Sequence, residues 1–184
     1  MVDTQTGTSN RFTEQFGVPK ERSVNKVQDV MSEQVQDFIR QSPFCVLATS
    51  DSEGNCDASP KGGKPGFVAV LDDRRIIVPD TAGNKLFQTY LNIDSNPHVG
   101  IVFLIPGSND TVRVNGRVTI VPKEELDRLN VELSVNFHDD NTSNLQGILV
   151  EVDEAFTHCP RAFKFAGLWD EKAISQRKEA PKRR

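Results

Sequence analysis

Thr111-Val112-Arg113-Val114-Asn115-Gly116-Arg117-Val118-Thr119-Ile120-Val121 alternates polar and apolar residues almost to its end. Successive side chains of an extended strand point to opposite faces. Val112, Val114, Gly116, Val118 and Ile120 therefore share one face, and Arg113, Asn115, Arg117 and Thr119 share the other. One apolar and one polar face is the pattern of an antiparallel strand laid over a core.

Working outward, 98–105 is a second apolar run, and the loop 106–110 joins it to 111–121 as a hairpin. A hairpin is also expected where 67–71 and 75–78 flank Asp72-Asp73, and another where the turn D-S-E-G-N (51–55) links 44–49 to 56–61. A long strand over 147–157 closes the series, making six or seven strands. Val27, Val30, Met31, Val35, Phe38 and Ile39 recur at helical spacing, which predicts an amphipathic helix over 26–41 ended by Ser42-Pro43. Leu86, Phe87, Tyr90 and Leu91 predict a second helix over 83–93, and 123–133 reads as a charged third. Antiparallel hairpins with a few short helices predict a closed or partly closed barrel, since closure removes exposed sheet edges.

The 184 residues suit one domain, 26–170, with an N-terminal extension over 1–25 and a basic tail over 171–184. The extension is polar and aperiodic, so it is expected to wrap the surface or move. Net charge is −4, and 172–184 holds six basic residues against Glu179, which reads as a solvated, disordered end on an acidic body. An acidic body without interleaved aromatic and basic residues argues against nucleic-acid binding. No apolar run is long enough to span a bilayer and residues 1–10 are polar, so a soluble cytoplasmic protein without a membrane partner is expected. Cys45, Cys56 and Cys159 are odd in number and lack C-x-x-C spacing, which predicts reduced thiols and no metal site.

Chemistry centres on a few segments. In Ser59-Pro60-Lys61-Gly62-Gly63, alternation puts the Ser59 hydroxyl and the Lys61 ammonium on one face, and the glycines permit close approach of a ligand. That set suits a phosphate, and it equally describes a glycine turn with a solvated lysine. In Asp80-Thr81-Ala82-Gly83-Asn84-Lys85, Thr81 is a helix-cap candidate, and Lys85 in a first turn opposes the helix dipole unless an anion is bound or water surrounds it. Arg113, Asn115 and Arg117 line either an anionic cleft or a wet strand face. Trp169, the only tryptophan, is packing or the cover of an aromatic cofactor. His158 and Cys159 point to opposite strand faces without converging ligands and read as structural. His98 and His138 are isolated, and no hydrolase or nucleotide-triphosphatase motif occurs.

The pieces P-F-C-V-L-A-T-S (43–50), S-P-K-G-G (59–63), V-L-D (70–72), I-I-V-P-D (76–80), G-N-K (83–85), N-P-H-V-G-I-V-F (96–103), T-V-R-V-N-G-R-V (111–118), C-P-R-A-F (159–163) and L-W-D (168–170), in that order, resemble the pyridoxamine-phosphate-oxidase-like family of split barrels that bind flavin mononucleotide (FMN). The similarity runs from Phe38 to about Asp170.

The resemblance implies a six-stranded antiparallel split β-barrel with flanking short helices, assembled as a homodimer with FMN in clefts at the subunit interface. By position, Ser59 and Lys61 match the strand beside the flavin. Thr81, Asn84 and Lys85 match the turn and helix start that hold its phosphate, while Arg113 and Trp169 match less closely. Asn84 stands where many relatives carry arginine, which removes a charge from the phosphate site. Asp170-Glu171-Lys172 follows Trp169 in place of an Arg-x-His substrate element, so vitamin B6 oxidation is not expected.

What the resemblance implies is an FMN-dependent oxidoreductase acting on a small molecule, with a reduced nicotinamide as donor and no assigned catalytic residue. The alternatives are a non-catalytic flavin carrier or sensor, or the same barrel holding a deazaflavin or haem. Haem would leave only His98, His138 or His158 as a histidine ligand.

Overall fold

The computed structural model describes residues 10–81, 86–137 and 143–179. In chain order the elements are α1 (Arg11–Phe16), α2 (Glu21–Val24), α3 (Glu33–Gln41), β1 (Phe44–Ser50), β2 (Cys56–Gly62), β3 (Ala69–Val70), β4 (Arg75–Thr81), α4 (Gln88–Ser95), β5 (His98–Leu104), β6 (Thr111–Pro122), α5 (Lys123–Arg128), β7 (Asn144–His158), α6 (Arg161–Ala166) and α7 (Glu171–Glu179). The strands form one open antiparallel sheet in the order β2-β1-β5-β6-β7-β4-β3. The seventh strand, beyond the six of the expected split barrel, is the two-residue β3, paired only through Ala69 and Val70 to β4.

β6 keeps the alternation read from its sequence: Val112, Val114, Gly116 and Val118 are buried, Arg113 and Asn115 are half-buried, and Arg117 and Thr119 are exposed. The pattern breaks at Val121, which turns into a second core. The main core sets Met31, Val35 and Ile39 of the α3 region against Leu47, Ile76, Val78, Phe103, Val112, Val114, Ile148 and Val150. Each such buried aliphatic side chain contributes about 2 kcal/mol. On the opposite face, Ile77 and Val121 pack with Leu126 of α5 and with Val131. β4 is thus apolar on both faces over Ile76, Ile77 and Val78.

The β6–β7 ladder contains one irregularity. Asn115 pairs with Glu154 and Gly116 with Val152, so Asp153 is an extra residue on β7. A Cβ at Gly116 would lie 2.1 Å from the Glu151 carbonyl oxygen, and the bulge therefore requires glycine.

Several element boundaries differ from the sequence reading for identifiable reasons. The helix expected over 26–41 begins only at Glu33, because Gln28 exchanges backbone hydrogen bonds with Ala155 and the Met31 N–H donates to the Asp73 carbonyl at 2.8 Å. Backbone groups committed to the sheet cannot also serve a helix. Ser32 then caps α3, its Oγ accepting from the Val35 N–H at 3.4 Å. The helix expected over 123–133 stops at Arg128, where Asn130 enters the left-handed region at φ 55°. The extension read as wrapping or mobile forms α1 and α2 within its described part, α1 closed by a capping box between Asn10 and Thr13. The tail read as disordered carries α7 over its described part, and Asp170 accepts the Ala173 N–H at 2.8 Å ahead of it.

The three thiols are free, and only Cys45 is buried. Burial pushes the Cys45 thiol up to about 12, against a smaller opposite effect of Lys61. Iodoacetamide at pH 8 is expected to alkylate Cys56 and Cys159 in the native protein and to reach Cys45 only after denaturation. Mass spectrometry reads this directly, and native labelling of Cys45 would contradict the β1 burial.

Candidate functional site

β2 lies at one end of the sheet order and β4 near the other. Nevertheless the Lys61 Nζ of β2 lies 2.8 Å from the Asp80 Oδ1 of β4. The sheet coils until its two ends approach, and the opening left between them is a cleft of ≈ 480 Å³. It is lined by 57–62 of β2, 79–81 of β4 and 86–90 at the start of α4, together with Phe67 and Val135. Its volume falls within the range of small-molecule sites.

Alternation along β2 turns Asp57, Ser59 and Lys61 inward to half-buried positions, while Cys56, Ala58, Pro60 and Gly62 are exposed. Pro60 is tolerated because β2 is an edge strand. Asp57 accepts from the Thr89 hydroxyl at 3.1 Å. Asp80 uses both carboxylate oxygens: Oδ1 accepts from Lys61, and Oδ2 accepts from the Tyr90 hydroxyl at 2.6 Å. Burial, with a smaller push from Asp80, raises the Tyr90 phenol far above its ordinary value, so it remains a protonated donor.

The structure brings Ser59, Lys61 and Thr81 together around this cleft. Thr81, however, does not cap α4. It is the last residue of β4, and α4 begins only at Gln88, preceded by Phe87 in the left-handed region at φ 54°. Such a backbone costs a bulky residue about 1 kcal/mol or more, and it coincides with a half-exposed ring at the rim of the cleft. Asn84 and Lys85, along with His138, lie outside the described residues.

The second glycine after Lys61, Gly63, serves the chain itself. A Cβ at Gly63 would lie 2.2 Å from the Ser134 carbonyl oxygen, which accepts the Lys64 N–H at 2.8 Å. At Gly63 the close approach read as room for a ligand is therefore filled by the segment after α5, whereas Gly62 lines the cleft.

Arg113 and Trp169 do not line this cleft. The Arg113 guanidinium sits 5.3 Å from the centre of the Phe156 ring, and Lys26 approaches the same ring at 5.6 Å. Trp169 stacks on Phe163 and donates from Nε1 to the Ser108 carbonyl at 2.6 Å. His158 packs edge-on to Phe156, and burial, then Arg113 and Lys26, lower its pKa. Among the described residues no histidine or cysteine lines the cleft. Asp80 and Tyr90 are the members that sequence reading missed. Tyr90 shows there only as an apolar position of a helix, and the Asp80–Lys61 contact joins strands 19 residues apart.

Chemically, the hydroxyls of Ser59 and Thr81 and the Lys61 ammonium can hold an anionic group, and Phe67, Leu86, Phe87 and Val135 offer apolar surface to a flat ring. The two aspartates carry the opposite charge. Size, hydroxyls and apolar wall suit a flavin-type cofactor, and Lys61 is open to an anionic group to the extent that Asp80 leaves it free.

Fold and cleft together define an open, antiparallel split barrel with a small-molecule cleft between its sheet ends. Residues 31–159 match the family model for pyridoxamine 5'-phosphate oxidase, and the chain belongs to that family. A candidate pyridoxamine 5'-phosphate oxidase of Lactobacillus delbrueckii superposes with a TM-score of 0.51 at 20% identity, over 70% of this chain and 95% of that one, and shares its fold. A similarly named protein of Listeria innocua matches at 16% identity and a TM-score of 0.49, over 68% of this chain and 95% of that one. HupZ of Group A Streptococcus matches at 17% identity and a TM-score of 0.49, over 69% and 93%. No curated protein matches the sequence. Among the described residues no helix is long and apolar enough to cross a membrane.

Proposed function

We propose that the chain binds FMN in the cleft between β2, β4 and α4 and works as an oxidoreductase on a small molecule. The observation that carries this reading is the convergence of Ser59, Lys61 and Thr81 beside the apolar surface of Phe67 and Phe87, in a chain of the pyridoxamine 5'-phosphate oxidase family. Bound flavin would supply the electron transfer, with a reduced nicotinamide as donor. The protein's own residues would orient it: Lys61, Ser59 and Thr81 at the phosphate, Phe67 and Val135 as apolar wall.

A homodimer belongs to the same reading. Leu86, Phe87 and Leu91 expose apolar surface at and beside the cleft mouth, which a second copy would cover. The test is the absorbance spectrum of the purified protein, with heat release of any yellow chromophore and light scattering for mass. Stoichiometric FMN on a dimer is the expected result. A colourless protein that takes up no added FMN would overturn the proposal and leave deazaflavin and haem to be titrated.

A further inference from the structure

The ammonium that would meet a ligand phosphate already has an anion against it. Lys61 and Asp80 have side-chain exposures of 16% and 18%, so the pair is largely shielded from water. Asp80 is held from its other side by Tyr90, which is itself buried in α4. The charged residues among the described lining are Lys61, Asp57 and Asp80, one cation against two carboxylates. A phosphate entering here meets an ammonium whose charge Asp80 already offsets, and it faces Asp57 as well, whereas the uncharged part of a flat ligand meets no such opposition.

We propose that Asp80 is a specificity-determining residue: its carboxylate occupies on Lys61 the place of an anionic ligand group, so that the cleft discriminates little between a flavin with a phosphate and one without. The inference rests on the proposed function, since it concerns how the same cleft ranks flavins.

The experiment is fluorescence titration of FMN and of riboflavin into the wild type, Asp80→Asn and Tyr90→Phe. Wild type should bind the two flavins within about threefold of each other. Asp80→Asn, isosteric and still able to accept from Tyr90, should tighten FMN about tenfold with little change for riboflavin, the size of effect expected when one close like charge is removed. Tyr90→Phe perturbs packing but keeps the charge, so it should leave the FMN-to-riboflavin ratio unchanged. A wild type that prefers FMN by about thirtyfold or more would overturn the inference and leave the proposed function standing, as would an Asp80→Asn variant that shifts both ligands equally. If no variant binds either flavin, the proposed function itself fails and takes the inference with it.

Discussion

Lys61→Met is expected to cost about 3 kcal/mol of folding stability, because it strands the Asp80 carboxylate in a largely water-excluded position. Asp80 is 18% exposed, and of the two donors described above it would keep only the Tyr90 hydroxyl. The double variant Lys61→Met/Asp80→Asn removes both charges and should recover most of that loss, leaving a coupling energy of about 2 kcal/mol in the double-mutant cycle. Guanidinium unfolding of the four proteins measures it. Losses that simply add would mean that the ion pair does not tie β2 to β4 in solution, and the cleft would lose its bridging contact.

Gly116→Ala should be comparably damaging for a different reason. Its Cβ would fall 2.1 Å from the Glu151 carbonyl oxygen and 3.0 Å from the carbonyl carbon, and backbone atoms cannot rotate away as a side-chain tip can. The β6–β7 register must open or slip, at a cost of about 3 kcal/mol. Gly54→Ala is the natural comparison: it is also strained, at φ 88°, but meets no atom within 4 Å. Thermal unfolding should therefore place Gly116→Ala well below Gly54→Ala, and equal midpoints would rule out the bulge geometry.

What the sequence revealed follows from which forces are local. β5 and β6 were legible because a buried face writes its period-two pattern into each strand, and the turns between them carry their own residue signals. The start of α3 was not, since Val27 and Val30 fit helical spacing while the backbone of Gln28 is engaged by Ala155, far along the chain. Ser59 and Lys61 could be placed on one face by counting along β2. Their juxtaposition with Thr81 depends on how the whole sheet coils, and their opposition by Asp80 depends on it too. Trp169 illustrates the converse: a lone tryptophan is conspicuous in a sequence, but its stacking on Phe163 and its bond to Ser108 depend on how distant segments meet.

In the strand order, β2, β1, β5 and β6 form one contiguous group and β4 with β3 another, and β7 alone pairs with both. β7 is also the last of the described strands in chain order. Until residues 144–158 have been synthesised, the nascent chain holds two separate pieces with no ladder between them, and the walls of the cleft belong one to each. The two walls of the cleft are therefore joined through the sheet in a single late step of synthesis. Before it, the apolar flanks of β4 and β6 stand open as unpaired edges, the interval in which the growing chain most needs shielding from its neighbours.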